Sequence, residues 1–298
     1  MKKNSRFMGR GDKIFQVICF FVLGLFMLLA LLPFVMLISS SLTDNDALRL
    51  NGYNFWPSKF SAYAYEYIFS GKATEIFRSY GITFFITIVG TGISMIIGPM
   101  LGYVMSRKDY SRAKIITVFV FFTMLFNGGM VPSYMMWTQI FGLKNSILAL
   151  IIPNLITNGF FIILYKNNFS INIHPALIEA AKIDGASELY IYRKIVFPLS
   201  LPILATVGLM TGLGYWNDWI NGIYYITDKN LYSLQVLLNS ILNNIQAMQT
   251  MGGAGVGDFP GISIRMAMAV IGVLPILVLY PFFQKYFIKG IAIGGVKE

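Results

Sequence analysis

The feature that most constrains this chain is its first apolar run, residues 14–38, in which Gln16 is the only strongly polar side chain. A helix needs about 20 apolar residues to cross the hydrocarbon core of a bilayer. Exposed backbone groups find no water there, so a crossing segment is a helix or part of a closed barrel. Five further stretches meet the condition: residues 82–105, 115–136, 147–165, 201–226 and 266–283. They are richer in Gly, Ser, Thr and Asn than the first, as helices that pack on other helices are. The first run is too long for a signal-peptide core and lacks a small-residue cleavage site before a polar region, so it reads as an uncleaved anchor. The expected fold class is an all-α membrane protein with six transmembrane helices.

Composition narrows the functions open to such a chain. Charged residues make up 12% of its 298 positions, against about 25% in soluble domains. The lone Cys19 excludes an internal disulfide and reads as a small packed thiol. The lone His174 has no partner for a His-rich metal site or a His–Cys pair. No phosphate-cradling GxxxxGK[ST] loop occurs, so any ATP used must bind to another chain. A membrane-embedded enzyme would need a nucleophile–base pair or metal ligands within a span, and neither is seen. A secondary transporter would need ion-coupling charges or an inverted repeat; Asp218 is the sole acid in mid-span, and no repeat is visible.

The net charge of +10 does not point to nucleic acid, because of where the charges fall. Six spans place both termini on one side, and sixteen of the 23 Lys and Arg residues lie on that side. The positive-inside rule makes that side cytoplasmic, and the basic excess is then an inner-leaflet signature. The expected organisation is a cytoplasmic N-terminus (1–13), a first span (14–38), an extracytoplasmic loop (39–78), a five-helix transmembrane domain (79–289) with a cytoplasmic loop at 170–200, and a cytoplasmic tail (290–298). Residues 39–81, with Asn51, Tyr53, Trp56 and Pro57, and residues 227–263, with a glycine run at 252–257, are long outer connections. They either touch an external partner or are plain surface loops.

The most informative connection is the cytoplasmic one, HPALIEAAKIDGASELYIYRKIVFPLSLP, from His174 to Pro202. It is polar enough to leave the membrane, yet Leu177, Ala180 and Ile183 or Asp184 keep helical spacing. Asp184-Gly185 is a helix stop, since glycine tolerates the left-handed conformation at a helix C-terminus. A second short helix is expected over residues 187–195, and Pro198 and Pro202 open the fifth span. The product is a helix–turn–helix beneath the membrane.

Glu179, Ala180, Ala181, three residues, Gly185, nine residues, then Ile195, Val196, Phe197 and Pro198 resemble the EAA motif of ABC importer permeases, E-A-A-x3-G-x9-I-x-L-P. The one departure is Phe197 in place of Leu. The longer EAAKIDGA and the C-terminal FFQKYFIKGIAIGGVKE resemble the carbohydrate-uptake branch, similar to the maltose transporter's second permease and the multiple-sugar permeases. The resemblance runs from about residue 12 to the end. It implies the type I ABC importer permease fold in a bacterial plasma membrane. It also implies a non-catalytic subunit with no cofactor or metal of its own.

The partners implied are a homologous second permease, two ATP-binding cassette ATPases that carry ATP and magnesium, and an extracytoplasmic solute-binding protein. In that family the loop docks on the ATPase as a coupling helix. The coupling set is then Glu179, Ala180, Ala181, Asp184, Gly185, Ile195 and Pro198. Small Ala180 and Ala181 permit close approach, Gly185 permits the turn, and Glu179 can make a charge-assisted contact. A docked helix transmits ATPase closure as a rigid-body motion. A permease for a peptide or an osmolyte would carry much the same loop, so the cargo class rests on the carbohydrate-branch resemblance and on the fifth span.

That span holds Tyr215, Trp216, Asn217, Asp218 and Asn221, residue types suited to a sugar path. Thr211, Tyr215, Asp218 and Gly222 would share one face of an unbroken helix, and Asn217 and Asn221 another. Asp218 lies about 16 residues into the span, or about 24 Å, where aromatic residues also anchor helices at the interface. The group therefore lines a cavity, anchors the interface or packs. Asn127-Gly128-Gly129, Pro132, Pro153, Asn154 and Asn158 mark either kinks beside a path or small-residue packing. The spacings Gly98–Gly102 and Gly208–Gly212 favour close helix contacts.

Overall fold

The computed structural model describes residues 10–153, 156–250 and 261–295. Asn154 and the glycine run at 252–257 lie outside them. The chain divides into two compact units, one of Met1–Ala73 with Asn244–Leu274, the other of Thr74–Asn243 with Pro275–Glu298.

The first unit contains α1 (Arg10–Ser41), α2 (Asn45–Asn51), the opening turns of α3 (Tyr63–Ser106), the end of α13 (Leu234–Thr250) and the start of α14 (Gly261–Gly295). The middle of α1 keeps its apolar side chains exposed, Phe20 at 83%, as a helix that meets lipid must. Its last turn instead buries Ser39, Ser40 and Ser41, and the Tyr65 hydroxyl donates to Ser41 Oγ at 2.8 Å. Asp44 caps α2 by accepting from the Asp46 and Ala47 amides, two of the donors that a helix start leaves open.

The second unit is built along the rest of α3. It adds α4 (Ala113–Leu125), α5 (Met130–Met135), α6 (Leu148–Ile151), α7 (Gly159–Asn172), α8 (Pro175–Ile183), α9 (Glu188–Ile191), α10 (Phe197–Leu199), α11 (Leu201–Trp216) and α12 (Ile220–Tyr225). Glycines on α3 make notches for tyrosines from its neighbours. A Cβ on Gly102 would sit 2.5 Å from Tyr165 Cβ of α7, and one on Gly90 would sit 2.3 Å from the Tyr215 ring of α11. Both tyrosines are buried. Gly98 also abuts Tyr165, Gly208 abuts Met95, and Gly212 abuts Thr91. The two glycine spacings thus do mark close helix contacts.

Three helices are individually long and apolar enough to cross a membrane among the described residues, and five segments are if each of two bent pairs counts as one. The stretches expected at 14–38, 82–105 and 266–283 fall within α1, α3 and α14. The other three are broken where continuous helices were expected. At 126–129, Phe126 is extended and Gly129 takes φ +87°, with the Gly129 amide donating to Asn127 Oδ1 at 2.8 Å. The helices on either side are bent by 115°. In the fourth stretch, α6 ends at Ile151 and α7 starts at Gly159, capped by Asn158. In the fifth, α11 stops at Trp216 and α12 begins at Ile220.

The long outer connections also differ from expectation. α3 already begins at Tyr63, and α13 occupies Leu234–Thr250. Hydropathy shows where a helix leaves the apolar slab, not where its hydrogen bonding stops. Residues 63–81 contain no proline, so nothing compels the helix to end there.

Candidate functional site

The loop between α7 and α11 folds as its residues dictate. His174 is the N-cap of α8, its Nδ1 accepting from the Ala176 amide at 3.3 Å, and Pro175 occupies the first turn, where a missing N–H costs nothing. Gly185 takes φ +78°. The Ala186 amide donates to the Ala181 carbonyl at 2.9 Å and the Gly185 amide to that of Lys182 at 3.0 Å. These two bonds form a Schellman closure. Ser187 then caps α9 by accepting from the Tyr190 amide. A π-helical turn, Tyr192–Val196, leads through α10 into α11, and an 83° bend separates Glu188–Leu199 from Leu201–Trp216.

One side of this hairpin is fixed. Ala181, Ile191, Tyr192 and Val196 share a buried cluster with Tyr103 of α3, Phe169 and Tyr165 of α7, and Leu204 and Val207 of α11. Ile195 packs against its margin. Ala181 has to be small because it is the point of α8 that presses into this cluster. The opposite side is open. Leu177 is 47% and Ile183 86% exposed, and Glu179, Ala180, Asp184, Gly185 and Pro198 are exposed as well. The stripe at 177, 180 and 183 or 184 is therefore the outward face of α8, and the inward face runs through Ile178 and Ala181.

A charged ring joins the hairpin to the end of α3. The Arg107 guanidinium donates to Asp109 Oδ1 at 2.8 Å and Oδ2 at 2.6 Å, and to Glu188 Oε2 at 2.9 Å and Oε1 at 3.2 Å. Lys182 Nζ closes the ring with Asp109 Oδ2 at 2.7 Å and Glu188 Oε1 at 3.1 Å. The Tyr103 hydroxyl donates to Glu188 Oε2 at 2.9 Å and accepts from Arg107. Each carboxylate thus meets both cations, and the ring is neutral. Hydrogen bonds from Arg107, then from Lys182, hold the Asp109 carboxyl well below the usual carboxylate range. Lys182 is raised in turn, first by Asp109 and then by Glu188.

None of these ring residues stood among the expected site residues. In the sequence Lys182 and Glu188 are two of the loop's several polar residues, and Arg107 is one of the basic charges beside a span. Pairing across 73 and 81 positions leaves no periodic trace. The one signal available was an Arg-Lys-Asp run directly after the apolar part of α3.

The break between α11 and α12 brings together the other expected residues, in different roles. The Tyr215 hydroxyl donates to the Ile151 carbonyl at 2.9 Å while its ring fills the Gly90 notch. Trp216 is 3% exposed and packs edge-on to Phe84 at 5.1 Å. Asn221, also buried, donates to the Pro153 carbonyl at 3.1 Å. Asp218 Oδ1 accepts from the Asn221 amide at 3.2 Å, and its Oδ2 is buried with no hydrogen-bond partner among the described residues. Asn217 is exposed and donates to the Leu213 carbonyl at 3.0 Å. Faces drawn on one continuous helix do not survive, because residues 217–219 interrupt it.

Residues 94–293 match the family described as binding-protein-dependent transport system inner membrane component. The chain is 38% identical over 288 residues to the polygalacturonan/rhamnogalacturonan transport system permease protein YtcP of Bacillus subtilis (strain 168), covering 96% of this chain and 99% of that one. It is 36% identical over 292 residues to Protein LplC of the same organism, covering 97% and 96%. Among solved structures it is similar to a chain of a bacterial ABC transporter involved in the import of the acidic polysaccharide alginate. The TM-score there is 0.76 at 29% identity, over 95% of this chain and 100% of that one. With a family match over most of its length and full-length permease relatives, the chain belongs to the binding-protein-dependent transport system inner membrane component family.

Proposed function

We propose that the chain is the non-catalytic permease subunit of an ATP-driven importer for an oligosaccharide, and that α8 and α9 couple it to a cytoplasmic ATPase. The observation that carries the reading is the two-sidedness of α8. Its inward face is packed into the chain, whereas Leu177, Glu179, Ala180, Ile183 and Asp184 are presented outward. A short, seated helix with an exposed stripe of Leu177, Ala180 and Ile183 beside two acids suits a cleft on a partner. Gly185, in its left-handed conformation, fixes the angle at which that stripe is offered. Ile195 and Pro198 carry the connection into α11.

The cargo class is supported by the relatives, one a polygalacturonan/rhamnogalacturonan transport permease, and by a structural neighbour involved in alginate import. On this reading the broken stretches pair with α1, α3 and α14 to give six spans in a bacterial plasma membrane, with both termini and α8 cytoplasmic. The partners are a homologous permease, two ATPases that hold ATP and magnesium, and a solute-binding protein outside. The α11–α12 break lies along the path. Tyr215, Trp216 and Asn221 hold the break in shape, and Asn217 and Asp218 are the polar groups nearest the cargo.

The test is purification from native membranes followed by uptake in proteoliposomes of fragments from a polygalacturonan hydrolysate. Recovery of an ATPase and a second permease, with ATP-dependent uptake, is expected. Gly185→Asp should leave insertion intact and abolish uptake. Stable uptake by this chain alone, without ATP, would overturn the reading.

A further inference from the structure

The hairpin is joined through the backbone only to α7 and α11. A push on α8 would reach α11 across the 83° bend and α7 through the extended Ile173. α3 lies some 80 residues earlier in the chain, and the charged ring and the apolar cluster beneath it bring it in. Arg107 is 9% exposed, and its N–H edges are occupied. Its guanidinium meets a carboxylate from its own turn and one from α9, and its carbon lies 5.4 Å from the Tyr103 ring centroid. Directly beneath, Tyr103 stacks obliquely on Tyr192 at 5.5 Å, within the apolar cluster that holds Ala181. Charge and packing therefore brace the same junction. A planar guanidinium that bridges two carboxylates is geometrically demanding, and removing it leaves Asp109 and Glu188 to share Lys182 as the one remaining cation of the ring.

We infer that Arg107 is a positioning residue that locks α3 to the α8–α9 hairpin, so that both move as one body when the ATPase closes. This rests on the coupling reading above, and adds to it that α3, not only α7 and α11, is driven directly. The ring stays closed in every state of the transport cycle. The motion occurs elsewhere, at the bends beyond Leu199 and Phe126.

The test uses the purified complex with Cys19→Ser and spin labels introduced through Tyr110→Cys and Tyr190→Cys, positions exposed to 42% and 55%. Distances between the labels are measured without nucleotide and after trapping with magnesium, ATP and vanadate. With Arg107 present, the same narrow distance is expected in both states. Arg107→Met should widen the distribution at least about twofold and make it state-dependent, with Arg107→Lys intermediate. A distance that changes between states while Arg107 is intact overturns the lock, as does an Arg107→Met complex indistinguishable from the parent. If Arg107→Met fails to assemble, the measurement on the parent still decides. Absence of a co-purifying ATPase would instead remove the coupling reading itself.

Discussion

α3 is gripped in two places by different physics. At its end, Arg107 and Asp109 meet Lys182 and Glu188 through ionic bonds, with Arg107 buried and the other three half-exposed. Near its middle, Gly90 admits the Tyr215 ring so closely that even a methyl group has no room. The first junction depends on charge, on the fork geometry of Arg107 and on the tyrosine pair beneath it. The second depends on volume and is indifferent to salt. Charge suits a junction that lies at the water boundary, whereas in hydrocarbon, where the hydrophobic effect draws no two helices together, close packing on small residues supplies the attraction. The end of α3 is thus held at an ionic junction, and its middle at a packed notch that serves as a fixed bearing.

The contrast is sharpened most by adding volume at the bearing. Gly90→Leu should destabilise the chain by about 3 kcal/mol, the upper end of ordinary overpacking, read as a lower unfolding temperature and lower yield in detergent. Unchanged stability would mean that Tyr215 can leave its notch. Tyr215→Phe keeps the ring and removes the hydroxyl that meets the Ile151 carbonyl. It should cost about 1 kcal/mol, the usual net value of one such bond. At the hairpin, Gly185→Ala meets no neighbouring atom within 4 Å but must hold φ +78°. Its cost should be roughly 1 kcal/mol of backbone strain, with the apolar cluster beneath undisturbed in cross-linking or hydrogen exchange.

The smallest effect is expected from pH. The Asp109 carboxyl is depressed in the folded chain. Its contribution is therefore present above the ordinary carboxylate value of about 4 and is lost only as pH falls through the lower folded value. Thermal stability should accordingly be flat, as far as this group decides it, from pH 8 to pH 5. A loss of stability between pH 8 and pH 5 that disappears in Asp109→Asn would show that Asp109 does not sit in the ring as described.

The α8 hairpin was legible in the sequence because its determinants are local. His174-Pro175 starts a helix, Asp184-Gly185 ends it, and Ser187 starts the next, each within a few positions of the backbone group it satisfies. Which side of α8 faces inward was not legible. Leu177 and Ile183 look like core residues by spacing, and only the approach of Tyr103, Phe169 and Leu204 makes Ala181 the buried one. The breaks at 126–129 and 217–219 were hard to place for a related reason. Hydropathy averages over a window, and neither Gly128-Gly129 nor Asn217-Asp218 lowers that average enough to split a span. The charged ring was invisible because its members are remote in sequence and each has an ordinary role as a flanking charge.

Within the second unit α3 runs from Thr74 to Ser106 and so measures about 50 Å at 1.5 Å per residue, well over the roughly 30 Å thickness of the hydrocarbon layer. Such a rod cannot be hidden upright in one bilayer. It must lean, or carry a long end into water or against other protein, and lipids with longer acyl chains should relieve the mismatch. The thickness of the surrounding bilayer thereby becomes a mechanical setting for this subunit, adjustable without touching any residue of the hairpin.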